Sequence, residues 1–381
     1  MPRSSPHSPL LVILQPTSFC NIDCRYCYLP SRSETARMSF DTLGRIFTWI
    51  TESMCGQRDL EVVWHSGEPL VVGVEYYRQA FEIIRQAAPQ DVSVQHVIQT
   101  NATLITPEWC ALFQDHAVSI GVSLDGPAKM HDAFRVDRKG RGTFARTAAG
   151  IALLQQHAIP LTVLTVLTAE SLFQADAIWQ CYRDLGIRSV AFNIEEVEGV
   201  HQTSSLQKDA MEDRYRQFLR RILELWIEQP PQERLRVREL EWFLGSVDAD
   251  RATVGAQTNT PFDVLSFDSS GRVSTFSPEL LASRHPVYGD FTFGDVRKDS
   301  FATVSASPAF LEVSSSIRDG VTQCMASCEY FPLCGGGPPV NKLCENGSFA
   351  STETMYCRLR IKATADEMLT FFESQLNLSE S

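Results

Sequence analysis

Gln15-Pro-Thr-Ser-Phe-Cys20-Asn-Ile-Asp-Cys24-Arg-Tyr-Cys27-Tyr-Leu-Pro30 is the stretch that decides how this chain folds. Its cysteines stand at spacing C-x3-C-x2-C, with Tyr26 directly before the third. A [4Fe–4S] cube takes four ligands, usually four thiolates. Three thiolates leave one iron open, and the amino and carboxylate groups of S-adenosylmethionine can chelate it. The cluster then delivers an electron to the sulfonium, so the cofactor carries the radical chemistry and the protein supplies placement and shielding. A zinc site would want a fourth Cys or His close by, and the nearest histidines are His7 and His65.

Working outward, the chain has 381 residues, 44% of them hydrophobic, which is ample for a large core. That length predicts two domains, or a barrel with an appendage. No apolar run approaches the roughly 18 residues of a membrane span. The short run Leu10 to Leu14 leads straight into the cysteine loop and reads as a first strand, not a signal peptide. Eleven cysteines cluster unevenly: three in 20–27, five in 324–357, and Cys55, Cys110 and Cys181 scattered. Such grouping points to metal in a reducing, cytoplasmic setting and away from a disulfide framework. The scattered three read as ordinary buried thiols. The net charge of −12, with no block of Lys and Arg, argues against nucleic acid as the main partner.

Strands and helices alternate after the cysteine loop. Helical spacing runs from Ser39 to Glu52, Gly73 to Ala88, Thr106 onward, Thr143 to His157 and Leu172 to Leu185. Short apolar strands fall at 60–64, 92–99, 118–124, 161–167 and 189–194. Alternation of this kind implies a parallel sheet. Six units to about residue 200 predict an α/β fold, a partial (β/α)6 barrel, with ligands at the C-terminal strand ends. Residues 204–250 turn charged and helical around Pro230-Pro231, and the stretch from Phe262 to Phe276 reads as a β-hairpin about Ser269-Ser270-Gly271. The predicted division is therefore a barrel at 1–203, a helical linker at 204–255, and a C-terminal module with its own helix at 256–381.

The strand ends carry the chemistry expected there. Strand two runs into His65-Ser66-Gly67-Glu68-Pro69. Gly67 removes a side chain where backbone would approach a ligand, and Glu68 offers a carboxylate for an ammonium. Later strands end in Gln99-Thr-Asn101 and in Ser123-Leu-Asp125-Gly126-Pro127, with Arg135 following. By residue type alone each of these is also ordinary turn chemistry.

The cysteine loop resembles that of the radical SAM superfamily, and Ser66-Gly67-Glu68-Pro69 resembles its GGEP motif with serine for the first glycine. The resemblance implies that Cys20, Cys24 and Cys27 hold the cluster and that Ser66, Gly67 and Glu68 line the cofactor. It further implies that Ser123 and Arg135 partner the SAM carboxylate, that Asn101 contacts SAM, and that Tyr26 lies near the adenine.

At the other end, Cys324-x3-Cys328-x5-Cys334, followed by Cys357, supplies four thiolates. Their spacing alone fits zinc or a second iron–sulfur cluster equally. The region resembles the SPASM extension of peptide-modifying radical SAM enzymes, which favours the cluster. A full SPASM extension holds two auxiliary clusters, the first on cysteines of the preceding hairpin. Here that hairpin has none, and Pro338 stands where a further cysteine is expected after Cys334. One auxiliary [4Fe–4S] cluster is expected, on Cys324, Cys328, Cys334 and Cys357, with Cys344 a bystander.

LQPTSFCNIDCRYCYLP, VVWHSGEPLVV, FNIEEVEGV, STFSPELL and CGGGPPVNKLCENGSFASTETMYCRL together resemble the cyclophane-forming maturases of glycine-rich-repeat peptides, the GrrM type. That resemblance implies a C–C crosslink in a ribosomal precursor peptide with a glycine-rich core. A 5′-deoxyadenosyl radical takes hydrogen from a side-chain Cβ, the carbon radical attacks an aromatic ring, and loss of an electron and a proton restores aromaticity. An external donor such as flavodoxin or ferredoxin would reduce the first cluster. Glu195, Glu196 and Asp125 stand near strand ends as candidate bases. Cyclopropane formation on Val or Ile, sulfatase-type oxidation, and a non-catalytic metal-stabilised binding protein are the competing readings. With about nine residues before the first strand, leader recognition is expected on the core surface or on another protein.

Overall fold

The computed structural model describes residues 10–53, 59–246, 256–281 and 283–379, with side chains through residue 375. Cys55 and the first nine residues lie outside that range. Six parallel strands form the centre of one sheet: β1 (Leu10–Leu14), β2 (Leu60–Trp64), β3 (Val94–Thr100), β4 (Ser119–Ser123), β5 (Leu161–Leu167) and β6 (Ser189–Ile194). Parallel strands need crossovers, and helices α1 (Phe40–Ser53), α2 (Val74–Ala87), α3 (Pro107–Asp115), α4 (Phe144–Gln156) and α5 (Ala175–Asp184) supply them.

The helices begin where the sequence says they should. Ser39 Oγ accepts from the Thr42 amide at 3.0 Å, and Thr106 caps α3 ahead of Pro107. Leu43, Ile46, Phe47 and Ile50 of α1 are buried on one face. At about 1.5–3 kcal/mol for each large apolar side chain removed from water, these faces hold the helices to the sheet. Trp64 at the end of β2 packs edge-on against Tyr77 of α2, ring centres 4.9 Å apart.

The sheet does not stop at six strands. Between α6 (Met211–Ile227) and α7 (Arg238–Ser246), the pair Arg236–Val237 forms β7, parallel to β6. The predicted helical linker thus contributes an edge strand, because Leu235 and Val237 bury their side chains beside the sheet. The predicted hairpin forms from β8 (Val264–Phe267) and β9 (Arg272–Thr275). Its first strand pairs parallel with β1, Leu11 opposite Val264. With β10 (Gly294–Asp295) the order is β10-β9-β8-β1-β2-β3-β4-β5-β6-β7. The C-terminal region is therefore stitched to the strand that feeds the cysteine loop. Beyond it lie α8 (Pro308–Ser327), α9 (Pro339–Asn346) and α10 (Thr364–Ser379), the last preceded by a π-helical turn at Cys357–Ala363.

Candidate active site

The cysteine loop is more ordered than its sequence suggests. Ile22–Cys24 pairs antiparallel with Arg135–Asp137, Cys24 opposite Arg135. Arg138 Nε donates to the Cys20 carbonyl at 2.9 Å. Beneath the loop sits the turn at Ser66-Gly67. Gly67 has φ +62°, and a Cβ there would stand 2.5 Å from the Phe19 carbonyl oxygen. The close approach expected at Gly67 is thus to the backbone of the cysteine loop itself. The Glu68 amide seals the contact by donating to the same Phe19 oxygen at 2.8 Å.

Glu68 is 1% exposed and does not line the cavity described below. Its Oε1 accepts from Thr100 Oγ1 at 2.6 Å and the Leu70 amide at 3.1 Å, and its Oε2 from the Asn101 amide at 2.8 Å. Burial pushes its pKa up to about 7 despite those donors. Through these bonds Glu68 ties the end of β2 to the end of β3. Asn101 is similarly occupied: its Nδ2 donates to Asn21 Oδ1 at 2.9 Å, and its Oδ1 accepts from Thr103. Both residues brace the loop, a role that turn-end polar residues often fill.

A cavity of about 420 Å³ opens at the C-terminal ends of the strands. Cys24, Tyr26, Cys27, Ser123 and Arg135 line it, so five of the residues expected at the cofactor meet at one cavity. Cys20 lies close enough that charge on Cys24 or Cys27 would raise its pKa; burial, with Glu68 adding to it, already pushes the thiol up to about 12. Burial raises Cys24 to about 11, with Arg135 opposing. Among the described residues, no three Cys, His, Asp or Glu side chains crowd tightly enough to share one ion. A single zinc would draw its thiolates to roughly 4 Å of one another, whereas a cube spreads them over separate irons. The donor set, three thiols beside an open cavity, fits a cube with one free corner.

Asp125 organises part of this lining. Arg135 donates to it from Nε at 2.9 Å and from Nη2 at 3.2 Å. The Tyr26 hydroxyl also donates to Oδ2, and the Val166 amide donates to Oδ1 at 3.0 Å. Burial alone would raise the Asp125 pKa, but the Arg135 charge and the hydrogen bonds from Arg135 and Tyr26 together outweigh it, and the carboxyl is held below its ordinary range. The guanidinium also lies over the Tyr26 ring, 5.3 Å from its centre, and points Nη1 at Cys24 Sγ, 3.8 Å away. Gln99 Nε2 donates to Ser123 Oγ at 3.0 Å.

Beside Glu196, already a candidate base, the cavity is lined by residues that were not singled out one by one from sequence: Glu198, Glu279, Asn341 and Tyr356. Asn341 Nδ2 donates to Glu196 Oε2 at 2.7 Å. Burial raises Glu196; it raises Glu198 strongly, with Glu196 and Glu279 adding repulsion; and it lifts Glu279 to about 7. All three are half-buried and line the cavity. His65 lines it too, and burial lowers its pKa to about 4, so the imidazole is neutral at pH 7. Glu195 lines the cavity as well, with its carboxylate accepting from the Ser205 amide at 2.7 Å and paired with His201 at 3.2 Å. The signal for the missed residues was present: each lies in a stretch already singled out, FNIEEVEGV, STFSPELL or the segment from Cys334 to Leu359.

The C-terminal cysteines gather at a second place. Cys324, Cys328 and Cys357 line one cavity, and Cys334 is near enough to feel the charge of Cys324 and Cys328. Burial raises Cys357 to about 12, with Cys334 and Cys328 adding to it. Cys344 lies apart, lining a third cavity of about 470 Å³ with Glu279 and Val340. Two pairs of neighbouring residues connect the two cysteine chambers. Tyr356 lines the first while Cys357 lines the second. Asn341 reaches Glu196 while Lys342 Nζ donates to Cys324 Sγ at 3.4 Å.

Comparison with known proteins accords with this geometry. Residues 14–174 match the radical SAM superfamily. An uncharacterized protein of Synechocystis is 42% identical over 373 residues, spanning 97% of this chain and 93% of that one. The serine-type anaerobic sulfatase-maturating enzyme of Klebsiella aerogenes is 28% identical over 348 residues, spanning 88% and 83%. Among solved structures, native anSMEcpe with bound AdoMet and Cp18Cys peptide superposes with a TM-score of 0.76 at 19% identity, covering 98% of this chain and 99% of that one. SuiB of Streptococcus suis, bound to precursor peptide SuiA, gives 0.62 at 17% identity, covering 90% and 74%. At those identities the superpositions speak to the fold. Among the described residues no helix is long and apolar enough to cross a membrane. The chain belongs to the radical SAM superfamily.

Proposed function

We propose that this chain is a peptide-modifying radical SAM enzyme that forms a C–C crosslink, a cyclophane, between an aromatic ring and a side-chain Cβ of a precursor peptide. The observation that carries the reading is the convergence of widely separated stretches on one cavity: the cysteine loop, the turn at His65, FNIEEVEGV, STFSPELL and the segment around Asn341 and Tyr356. Those are the stretches that resemble the cyclophane-forming maturases. When bound, the [4Fe–4S] cluster and S-adenosylmethionine supply the 5′-deoxyadenosyl radical that takes hydrogen from Cβ.

The chain's own residues hold and screen that chemistry. Cys20, Cys24 and Cys27 hold the first cluster, and Arg135, kept in place by Asp125, turns its remaining donors toward the cofactor carboxylate. Tyr26 covers the adenine side, with Ser66 following β2 and Ser123 at the end of β4. Gly67, Glu68 and Asn101 act one layer out, fixing the loop. Cys324, Cys328, Cys334 and Cys357 hold an auxiliary cluster. The substrate is a peptide with a glycine-rich core, and an external flavodoxin or ferredoxin supplies the first electron.

A second reading has a specific observation behind it: relatives at 28% identity are named sulfatase-maturating enzymes. Taking two hydrogens from a serine Cβ–OH leaves an aldehyde, and the mass change equals that of a crosslink. The deciding experiment co-expresses the chain with a candidate glycine-rich precursor peptide. Tandem mass spectrometry should find a product two hydrogens lighter whose fragmentation stops between the joined residues. Capture of that product by a hydrazide, or NMR evidence of a cyclopropane, would replace the crosslink reading.

A further inference from the structure

Lys342 is a buried cation for which the described residues offer no carboxylate. It is 4% exposed, and its Nζ donates to the Gly320 carbonyl at 3.0 Å and to Cys324 Sγ at 3.4 Å. An ammonium removed from water costs several kcal/mol unless an anion meets it. The fold makes room for it deliberately. Gly320 sits inside the 20-residue helix α8, where glycine is unfavourable by about 1 kcal/mol relative to alanine. A Cβ at that position would meet the Phe349 carbonyl oxygen at 2.1 Å and Lys342 Nζ at 3.2 Å. The missing side chain admits the Phe349 carbonyl first, and the ammonium packs beside it, against the Gly320 carbonyl and one sulfur.

We propose that Lys342 is the built-in counter-cation of the C-terminal cluster, donating to the Cys324 thiolate and raising the potential at which that cluster takes an electron. The inference rests on the reading of Cys324, Cys328, Cys334 and Cys357 as ligands. A thiolate fixed by iron is the anion that the buried ammonium lacks. Hydrogen bonds to cluster sulfurs and nearby positive charge both favour the reduced, more negative state. Lys342 is a positioning residue, since it acts through the cluster. Its neighbour Asn341 holds Glu196 on the reaction cavity, so α9 joins the two places through adjacent side chains.

The test uses the full chain carrying Cys20→Ala, Cys24→Ala and Cys27→Ala, so that remaining iron reports the C-terminal site alone. Iron analysis should give about four atoms per chain. A chain without iron overturns the ligand reading, and this inference with it. Where iron is present, Lys342→Met is compared with the parent by an electron paramagnetic resonance redox titration. The expected result is a reduction equilibrium at least ten-fold less favourable, a midpoint about 59 mV lower for one electron. An unchanged midpoint with iron retained overturns the proposal and leaves the ligand reading standing. If Lys342→Met loses its iron, Lys342→Arg decides. Retention with arginine supports a requirement for charge, and loss in both variants means that Lys342 only packs.

Discussion

Arg135 holds Asp125 through two roughly parallel N–H···O bonds, 2.9 and 3.2 Å long, with both side chains almost wholly buried. Such a forked pair is rigid in a way a lysine could not be, and its placement opposite Cys24 lets one residue brace both the strand end and the cysteine loop. Arg135→Ala would leave a buried carboxylate alone. We expect a loss of about 3–5 kcal/mol at pH 7, read by urea unfolding. Because the Asp125 pKa is depressed in the folded protein, the pair's contribution is complete above the ordinary carboxylate range and fades as pH falls through the folded value. The deficit of the variant should therefore shrink in acid.

Gly67→Ala tests the seat of the cysteine loop. The residue has φ +62°, and its new Cβ would press on the Phe19 carbonyl oxygen at 2.5 Å. Left-handed backbone alone costs an L-residue about 1–2 kcal/mol, and the clash adds to it. The variant should melt lower and load less iron at the first site, with the C-terminal iron unaffected. Equal melting temperature and iron content would show that the turn tolerates a side chain.

Glu279 predicts a stability change with the opposite sign to Asp125. Its pKa is raised from 4.5 to about 7 by burial and by Glu196, so the folded protein binds a proton that the unfolded chain releases between those values. Stability should fall as pH rises across that window. Screening within the open cavity reduces the effect to about 1–2 kcal/mol. Glu279→Gln should accordingly gain stability relative to the parent at pH 8 and differ little at pH 4. Parallel thermal melts of the metal-free chain at the two pH values would reveal this difference or its absence.

Iron content separates the cysteines. The reading above expects about eight atoms per reconstituted chain, falling to about four in Cys324→Ala and staying near eight in Cys344→Ala. Cys344 lies with Glu279 and Val340, away from the four other C-terminal thiols. Loss of iron in Cys344→Ala would move it into the ligand set.

Much of the barrel was legible because its signals are local. Apolar runs such as Leu161–Leu167 and the caps Ser39 and Thr106 dictate strand and helix without help from distant residues. The cysteine loop was legible because its chemistry is bound to its spacing. What escaped was non-local. Nothing in Arg236-Val237 distinguishes an edge strand from a linker until β6 lies beside it. The bonds of Glu68 to Thr100 and of Asn101 to Asn21 were equally hidden, because a carboxylate or an amide at a strand end does not announce its partner. Lys342 is ordinary in sequence, and its meaning depends on Gly320 and Cys324, some 20 residues earlier.

The parallel pairing of Val264–Phe267 with Leu11–Leu14 makes the two ends of the gene product interdependent. A fragment cut before residue 256 would carry the cysteine loop on a strand with one flank bare, and such a flank invites sticking between copies. Two fragments made together, split ahead of the hairpin, would have a ready template for finding each other. Anyone dividing this polypeptide into modules should expect reassembly or precipitation, because the seam runs through the middle of the sheet.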